Sequence, residues 1–212
     1  MSEPPRRARD LQLLDAIDAF RREPFSAEVW RVVAEGRDPA LGRSSLSRWC
    51  DGTFDVLYTS LERDGAIAEI HALLTLQPVF PSKPRWRGHR LRISTTQTLK
   101  LADLPTLKTL GVDTDRSADR NTSRTQPIAD AAYFLGFDGL IAPSARYRCL
   151  NLVLFTERIA PQKIEVVSRD ERPIDWDQWR RRTRRQCSVS NTATPARPEP
   201  RSNSKACKGA FR

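Results

Sequence analysis

Strand-like and helix-like segments are interleaved along this chain without a strict βαβ alternation and without an internal repeat. That order points to the α+β class, with a mixed sheet and helices sharing one core. Asp10 can cap a helix whose apolar positions Leu11, Leu14, Ile17, Ala19 and Phe20 follow helical spacing. The β-branched and aromatic run Val29–Val33 reads as a strand with Arg31 in its middle, and FDVLYTS, Phe54 to Ser60, as a second. A helix opens at Asp64 with an apolar stripe of Ala66, Ile67, Ile70, Leu73 and Leu74. Stepping each residue by ~100° centres that stripe near Ile70 and puts Glu69 at its shoulder, where a carboxylate can look into a pocket rim.

Further along, HRLRIS is an alternating strand, PTLKTLG a short helix, and the polar segment RSADRNTSRTQ a loop expected to be mobile. Gln126-Pro127 starts a helix that Gly136 stops. Gly139–Ala142, Asn151–Phe155 and Lys163–Ser168 are strands, the first two almost wholly apolar. An amphipathic piece, DWDQWRRR, precedes a segment rich in Ser, Thr, Asn and Pro that cannot bury enough surface to offset ordering entropy. The expected division is an N-terminal helix packing on the domain (1–25), the domain itself (26–180) and a basic, disordered tail (181–212).

A chain of 212 residues with net charge +10 invites a nucleic-acid reading, but the charge is unevenly placed. From Glu171 onward there are 11 Lys/Arg against 4 Asp/Glu, while the preceding residues hold 25 against 22. The body is nearly neutral, and no RNP-like aromatic stripe or helix-turn-helix pattern accompanies the basic run at Arg180. No stretch is apolar enough to span a membrane and the N-terminus has no secretory h-region. Four scattered cysteines and two histidines, His71 and His89, make a zinc site or disulfide framework a poor fit, so a reduced, cytoplasmic protein without a metal is expected.

Standard catalytic signatures are absent: there is no phosphate-cradling glycine loop, no G-x-G-x-x-G, no G-x-S-x-G and no H-E-x-x-H. What remains are polar residues at unusual places. Arg31 lies within a strand, Arg48 precedes Trp49 in a loop, Tyr58 is near a strand end, and Glu69 is at a helix shoulder. Ser144 ends a strand and Asn151 begins one. Each has an ordinary structural reading by itself.

Together their order and spacing resemble the RES domain family, named for Arg, Glu and Ser. The matching segments are WRVV at Trp30–Val33, GRSSLSRW at Gly42–Trp49, LYTS at Leu57–Ser60, AIAE at Ala66–Glu69, GFDGLIAPSAR at Gly136–Arg146 and NLVLF at Asn151–Phe155. The family often reads GGRWN around the second arginine. Here the piece is LSRWC, so Ser47 and Cys50 depart from it.

The resemblance implies an ADP-ribosyltransferase-like core with a substrate cleft. It implies the toxin of a bacterial toxin–antitoxin pair, paired with an Xre-type antitoxin that occludes the cleft in an oligomeric complex. The implied activity is cleavage of the nicotinamide–ribose bond of NAD+, with inorganic phosphate or water as acceptor and no bound cofactor. Transfer of ADP-ribose to a protein, an inactive RES protein and a nucleic-acid module using the basic tail are the alternatives.

The chemistry suits these residues. Breaking an N-glycosidic bond forms an oxocarbenium-like ribose, which a carboxylate stabilises, and Glu69 is the candidate. Nicotinamide leaves as a neutral base, so a histidine-poor chain needs no general acid. Arg31 and Arg48 offer planar bidentate donors for pyrophosphate or phosphate. Tyr58 is assigned to stack on nicotinamide or fix the ribose, and Ser144 and Asn151 to hydrogen-bond the amide or a phosphate oxygen.

Overall fold

The computed structural model describes residues 8–81, 83–115 and 121–190, with side chains as far as 183. Helix α1, Leu11–Asp18, starts where expected: the Asp10 carboxylate accepts the Leu13 amide at 3.2 Å. It buries Leu13 and Ile17, whereas Leu11 is 73% exposed. The expected strands are present, several of them longer than their apolar runs. They are β1 (Glu23–Ala34), the two-residue pair β2 (Leu46–Ser47) and β3 (Cys50–Asp51), β4 (Val56–Ser60), β5 (Trp86–Lys100), β6 (Gly139–Pro143), β7 (Leu150–Phe155) and β8 (Ile164–Arg169). Between them lie α2 (Arg63–Leu74), α3 (Leu104–Thr109) and α4 (Thr125–Phe134).

Six strands form one sheet in the order β1-β4-β7-β6-β5-β8, and β1 also pairs with β5, so the sheet closes on itself. Pairing is antiparallel except between β5 and β6. The inner face collects Val29, Leu57, Leu91, Ile93, Ile141, Leu152 and Leu154. The outer face, with α1, α3 and α4 against it, contributes Val56, Leu99, Leu140, Ala142, Val153 and Phe155. Successive residues of β7 thus enter different cores, which is why NLVLF is apolar at every position after its asparagine. Where β5 turns toward β6, the buried Asp138 accepts the Thr96 amide at 2.6 Å, the Thr96 hydroxyl at 2.9 Å and the Gln97 amide at 2.9 Å, all on Oδ2.

Helix α4 ends as read: Gly136 has φ +85°, the Gly136 amide donates to Tyr133 and the Phe137 amide to Ala132. That is the Schellman arrangement, which a left-handed glycine permits. Helix α2 departs from its expected stripe. Gly65, Ala66, Ile67 and Leu74 are buried, Ile70 is only half-buried and Leu73 is 57% exposed. The helix is held by its first turn: a Cβ on Gly65 would lie 2.4 Å from both the Cys149 sulfur and the Ser60 hydroxyl. Gly65→Ala is therefore expected to lower the thermal midpoint by a few degrees, since overpacking costs about 1–3 kcal/mol. An unchanged midpoint in calorimetry would contradict this.

Among the described residues one compact unit runs as far as Ile174; a second, from Asp175, contains α5, Trp176–Ser190. The basic run at Arg180 is therefore helical, a correction to the tail expected from residue 181. The helix persists because Asp175 accepts the Asp177 and Gln178 amides at its start and arginine is a good helix former. Residues 191–212 lie outside the described residues, as do 116–120 of the polar segment expected to be mobile. Among the described residues no helix is long and apolar enough to cross a membrane.

Candidate active site

Glu69 sits on α2 one turn beyond Gly65, and the close approach at Gly65 sets how far its side chain reaches. Its Oε1 accepts two hydrogen bonds, from the Ser144 hydroxyl at 2.6 Å and from the Asn151 amide nitrogen at 2.8 Å. Ser144 follows β6, and its oxygen accepts the Arg146 and Tyr147 amides at 3.1 and 3.2 Å. The hydroxyl proton is thereby directed to the carboxylate. Asn151 is on β7 in register with Ser60 of β4 and Ala142 of β6. It is buried, and its Oδ1 has no hydrogen-bond partner among the described residues. A buried acceptor left open is the kind of atom a bound ligand's donor would satisfy.

Arg48 stands within reach of the field of this carboxylate. Burial lowers its affinity for the proton, and Glu69 acts against that, followed in smaller measure by Tyr58; Arg146 reinforces the lowering. A guanidinium remains charged regardless, so the carboxylate lies in the field of a half-buried cation on which a second arginine, Arg146, also acts.

The Tyr58 hydroxyl has partners within the chain. Its hydroxyl accepts the Trp49 amide at 2.8 Å and pairs with the Ser47 hydroxyl at 2.8 Å. It is spent on the residues either side of Arg48. Burial of the hydroxyl pushes its pKa up to about 12, against the hydrogen bonds from Ser47 and Trp49. Unfolded tyrosine ionises near 10, so the folded chain binds more protons between those values. Stability from this source is intact below about pH 10 and falls as pH rises to about 12. Urea midpoints are expected to drop over that interval, and less steeply in Tyr58→Phe; parallel curves for the two proteins would contradict the assignment.

Ser47 and Cys50, the two departures from the family pattern, have local partners. Ser47 meets Tyr58, and the buried Cys50 sulfur donates to the Phe54 carbonyl and accepts the Gly52 amide at 3.2 and 3.3 Å. The β2–β3 turn is thus closed without an asparagine.

Arg31 is not joined to this cluster. Trp30 pairs with Ser60, and Ser60 with Asn151, so those three share one face of the sheet. Arg31 alternates onto the other, with Val29 and opposite the buried His89. Burial pushes its pKa down to about 10; the charges acting on it are Asp38 and Arg43, and its buried Nη1 has no hydrogen-bond partner among the described residues. Gln126 and Arg146 are site residues that sequence reasoning misses. Gln126 marks only a helix start in the sequence, and its partners, the carbonyls of Ser47 and Cys50, are 79 and 76 residues away. Arg146 ends the GFDGLIAPSAR segment, which is its one signal.

The RES domain family model matches residues 28–177. A chain in the crystal structure of the M. tuberculosis MbcT–MbcA toxin–antitoxin complex is similar over 81% of this chain and 97% of that one, with a TM-score of 0.70 and 20% sequence identity. At that identity the likeness shows the fold, and it agrees with the mixed α+β architecture expected. No curated protein matches the chain.

Proposed function

This chain belongs to the RES domain family, and from that premise we propose that it is the toxin of a toxin–antitoxin pair and acts on NAD+ by breaking the nicotinamide–ribose bond. The observation that carries the reading is the Glu69 carboxylate. Ser144 and Asn151 hold it by a single oxygen, Arg48 is close by, and the Asn151 acceptor beside it lacks a donor among the described residues.

In the proposed reaction the C1′–N1 bond breaks and its electron pair returns to the nicotinamide ring, which leaves neutral. The positive charge passes to the ribose as an oxocarbenium-like centre. Glu69 balances that charge through Oε2, the oxygen that neither Ser144 nor Asn151 takes. Asn151 Oδ1 would accept from the carboxamide of nicotinamide or from a ribose hydroxyl. Arg48, with Arg146, would hold a pyrophosphate or an attacking phosphate. Arg31, set apart from Glu69, is left to hold a more distant part of the dinucleotide through its open Nη1. Phosphate attack gives ADP-ribose 1″-phosphate; water gives ADP-ribose and a proton.

The partner we propose is an Xre-type antitoxin. The similar chain from a toxin–antitoxin complex supports an antitoxin as partner. The activity is tested by incubating the full chain with NAD+, with and without phosphate, and separating the products. Nicotinamide release with free ADP-ribose products is expected, rising with phosphate if phosphate is the acceptor. ADP-ribose found on protein would select the transferase alternative, and intact NAD+ in every arm would overturn the reading.

A further inference from the structure

We propose that Gln126 is a positioning residue for Arg48, its carboxamide fixing both ends of the turn that carries the guanidinium. This rests on the reading of Arg48 as an anion-binding group. From the first turn of α4, Gln126 Nε2 donates to the Ser47 carbonyl at 2.7 Å and to the Cys50 carbonyl at 3.1 Å. Those two residues are register partners across β2 and β3, and Arg48 and Trp49 are all that lies between them.

The turn is anchored on one side, where Trp49 and Cys50 are buried in the core, while Ser47 and Arg48 are only half-buried. Two-residue strands do not support themselves, and Leu46 is 83% exposed. Two polar tethers add to that burial and fix the backbone: Gln126 grips the carbonyls, while Tyr58 on β4 takes the Trp49 amide and meets the Ser47 hydroxyl. A guanidinium on an untethered turn would lose more freedom on meeting an anion, and preorganisation removes that cost.

The residue type is specific. Only a carboxamide nitrogen brings two donors from one neutral atom to two carbonyls. Glutamate at the same place would set carboxylate oxygens against carbonyl oxygens and force the turn away.

The experiment compares full-length wild type, Gln126→Ala, Gln126→Glu, Arg48→Ala and the double variant Gln126→Ala/Arg48→Ala. Nicotinamide release gives kcat and KM for NAD+, and hydrogen exchange follows the amides of residues 46–51. Gln126→Ala is expected to raise KM about tenfold with kcat changed far less, and to speed exchange in 46–51. Gln126→Glu is expected to do both more strongly. In the Arg48→Ala background the alanine at 126 should change KM less than about twofold, because its effect passes through Arg48.

Losses that multiply in the double variant would overturn the inference, as would unchanged exchange in Gln126→Ala. If wild type itself releases no nicotinamide, the NAD+ reading fails. The positioning of the turn is then decided by the exchange rates alone: faster exchange sustains it and equal rates reject it.

Discussion

Glu69→Ala is expected to lower nicotinamide release by about 10²- to 10³-fold, the usual loss when one preorganised electrostatic contact is removed from such a site. Two donors are responsible. Ser144 and Asn151 both direct their hydrogens to Oε1, so the carboxylate is oriented before substrate arrives and need not reorganise as the ribose becomes cationic. Alanine deletes that charge and leaves two donors behind, Ser144 half-buried and Asn151 buried, at a cost of order 1–3 kcal/mol in stability. The thermal midpoint is therefore expected to fall by a few degrees while the protein stays folded. Glu69→Gln, with nearly the same shape and no charge, should lose most of the activity with a smaller change in midpoint. Full activity in either variant would remove Glu69 from the mechanism.

The largest effect on stability is expected at Asp138. Its Oδ2 accepts two backbone amides and a hydroxyl from the stretch of β5 just before it pairs with β6. Alanine there takes the acceptor from two amides that water replaces only in part, because Asp138 is buried while Thr96 and Gln97 are exposed. The expected cost is about 3 kcal/mol, or roughly 6–12 °C in midpoint for a domain of this size. The gentler substitution is Asp138→Asn, which keeps an acceptor oxygen and should recover part of the loss. A midpoint shift under about 2 °C in Asp138→Ala would show that this stretch of β5 is held by its neighbours instead.

The consequences of such a loss would reach the site. The β5–β6 pairing runs only from Thr98 to Lys100 against Gly139 to Ile141, and β6 leads directly into Ser144. Gly139 itself tolerates no side chain, since a Cβ would sit 2.4 Å from the Val153 carbonyl. A small displacement there is carried along a five-residue strand to the hydroxyl that orients Glu69.

The elements are legible in the sequence because period and caps are local. Asp10, Gln126-Pro127 and Gly136 mark helix ends that the structure keeps to within a residue or so. The α+β class follows from the order of those elements. Glu69 is placed at a helix shoulder by angle alone, and it is half-buried there. The same arithmetic misjudges Leu73, because it assumes that whatever is apolar has something to pack against, and only neighbouring elements decide that. Nothing in the strand of Tyr58 shows that a two-residue hairpin folds back onto its hydroxyl.

The sequence by itself determined which segments are strands or helices, and which six polar residues stand where such residues are unusual. Both follow from spacings of two to four residues, which the backbone repeats wherever it goes. Tertiary structure alone decided how the six are grouped. It joined Glu69 to residues 75 and 82 positions away, turned Tyr58 and Gln126 onto the loop of Arg48, and set Arg31 on the other face of the sheet. Those outcomes depend on register, where a shift of one residue exchanges the two faces, and on the place where α2 can approach β4 and β7 through Gly65. Neither is encoded in any single segment.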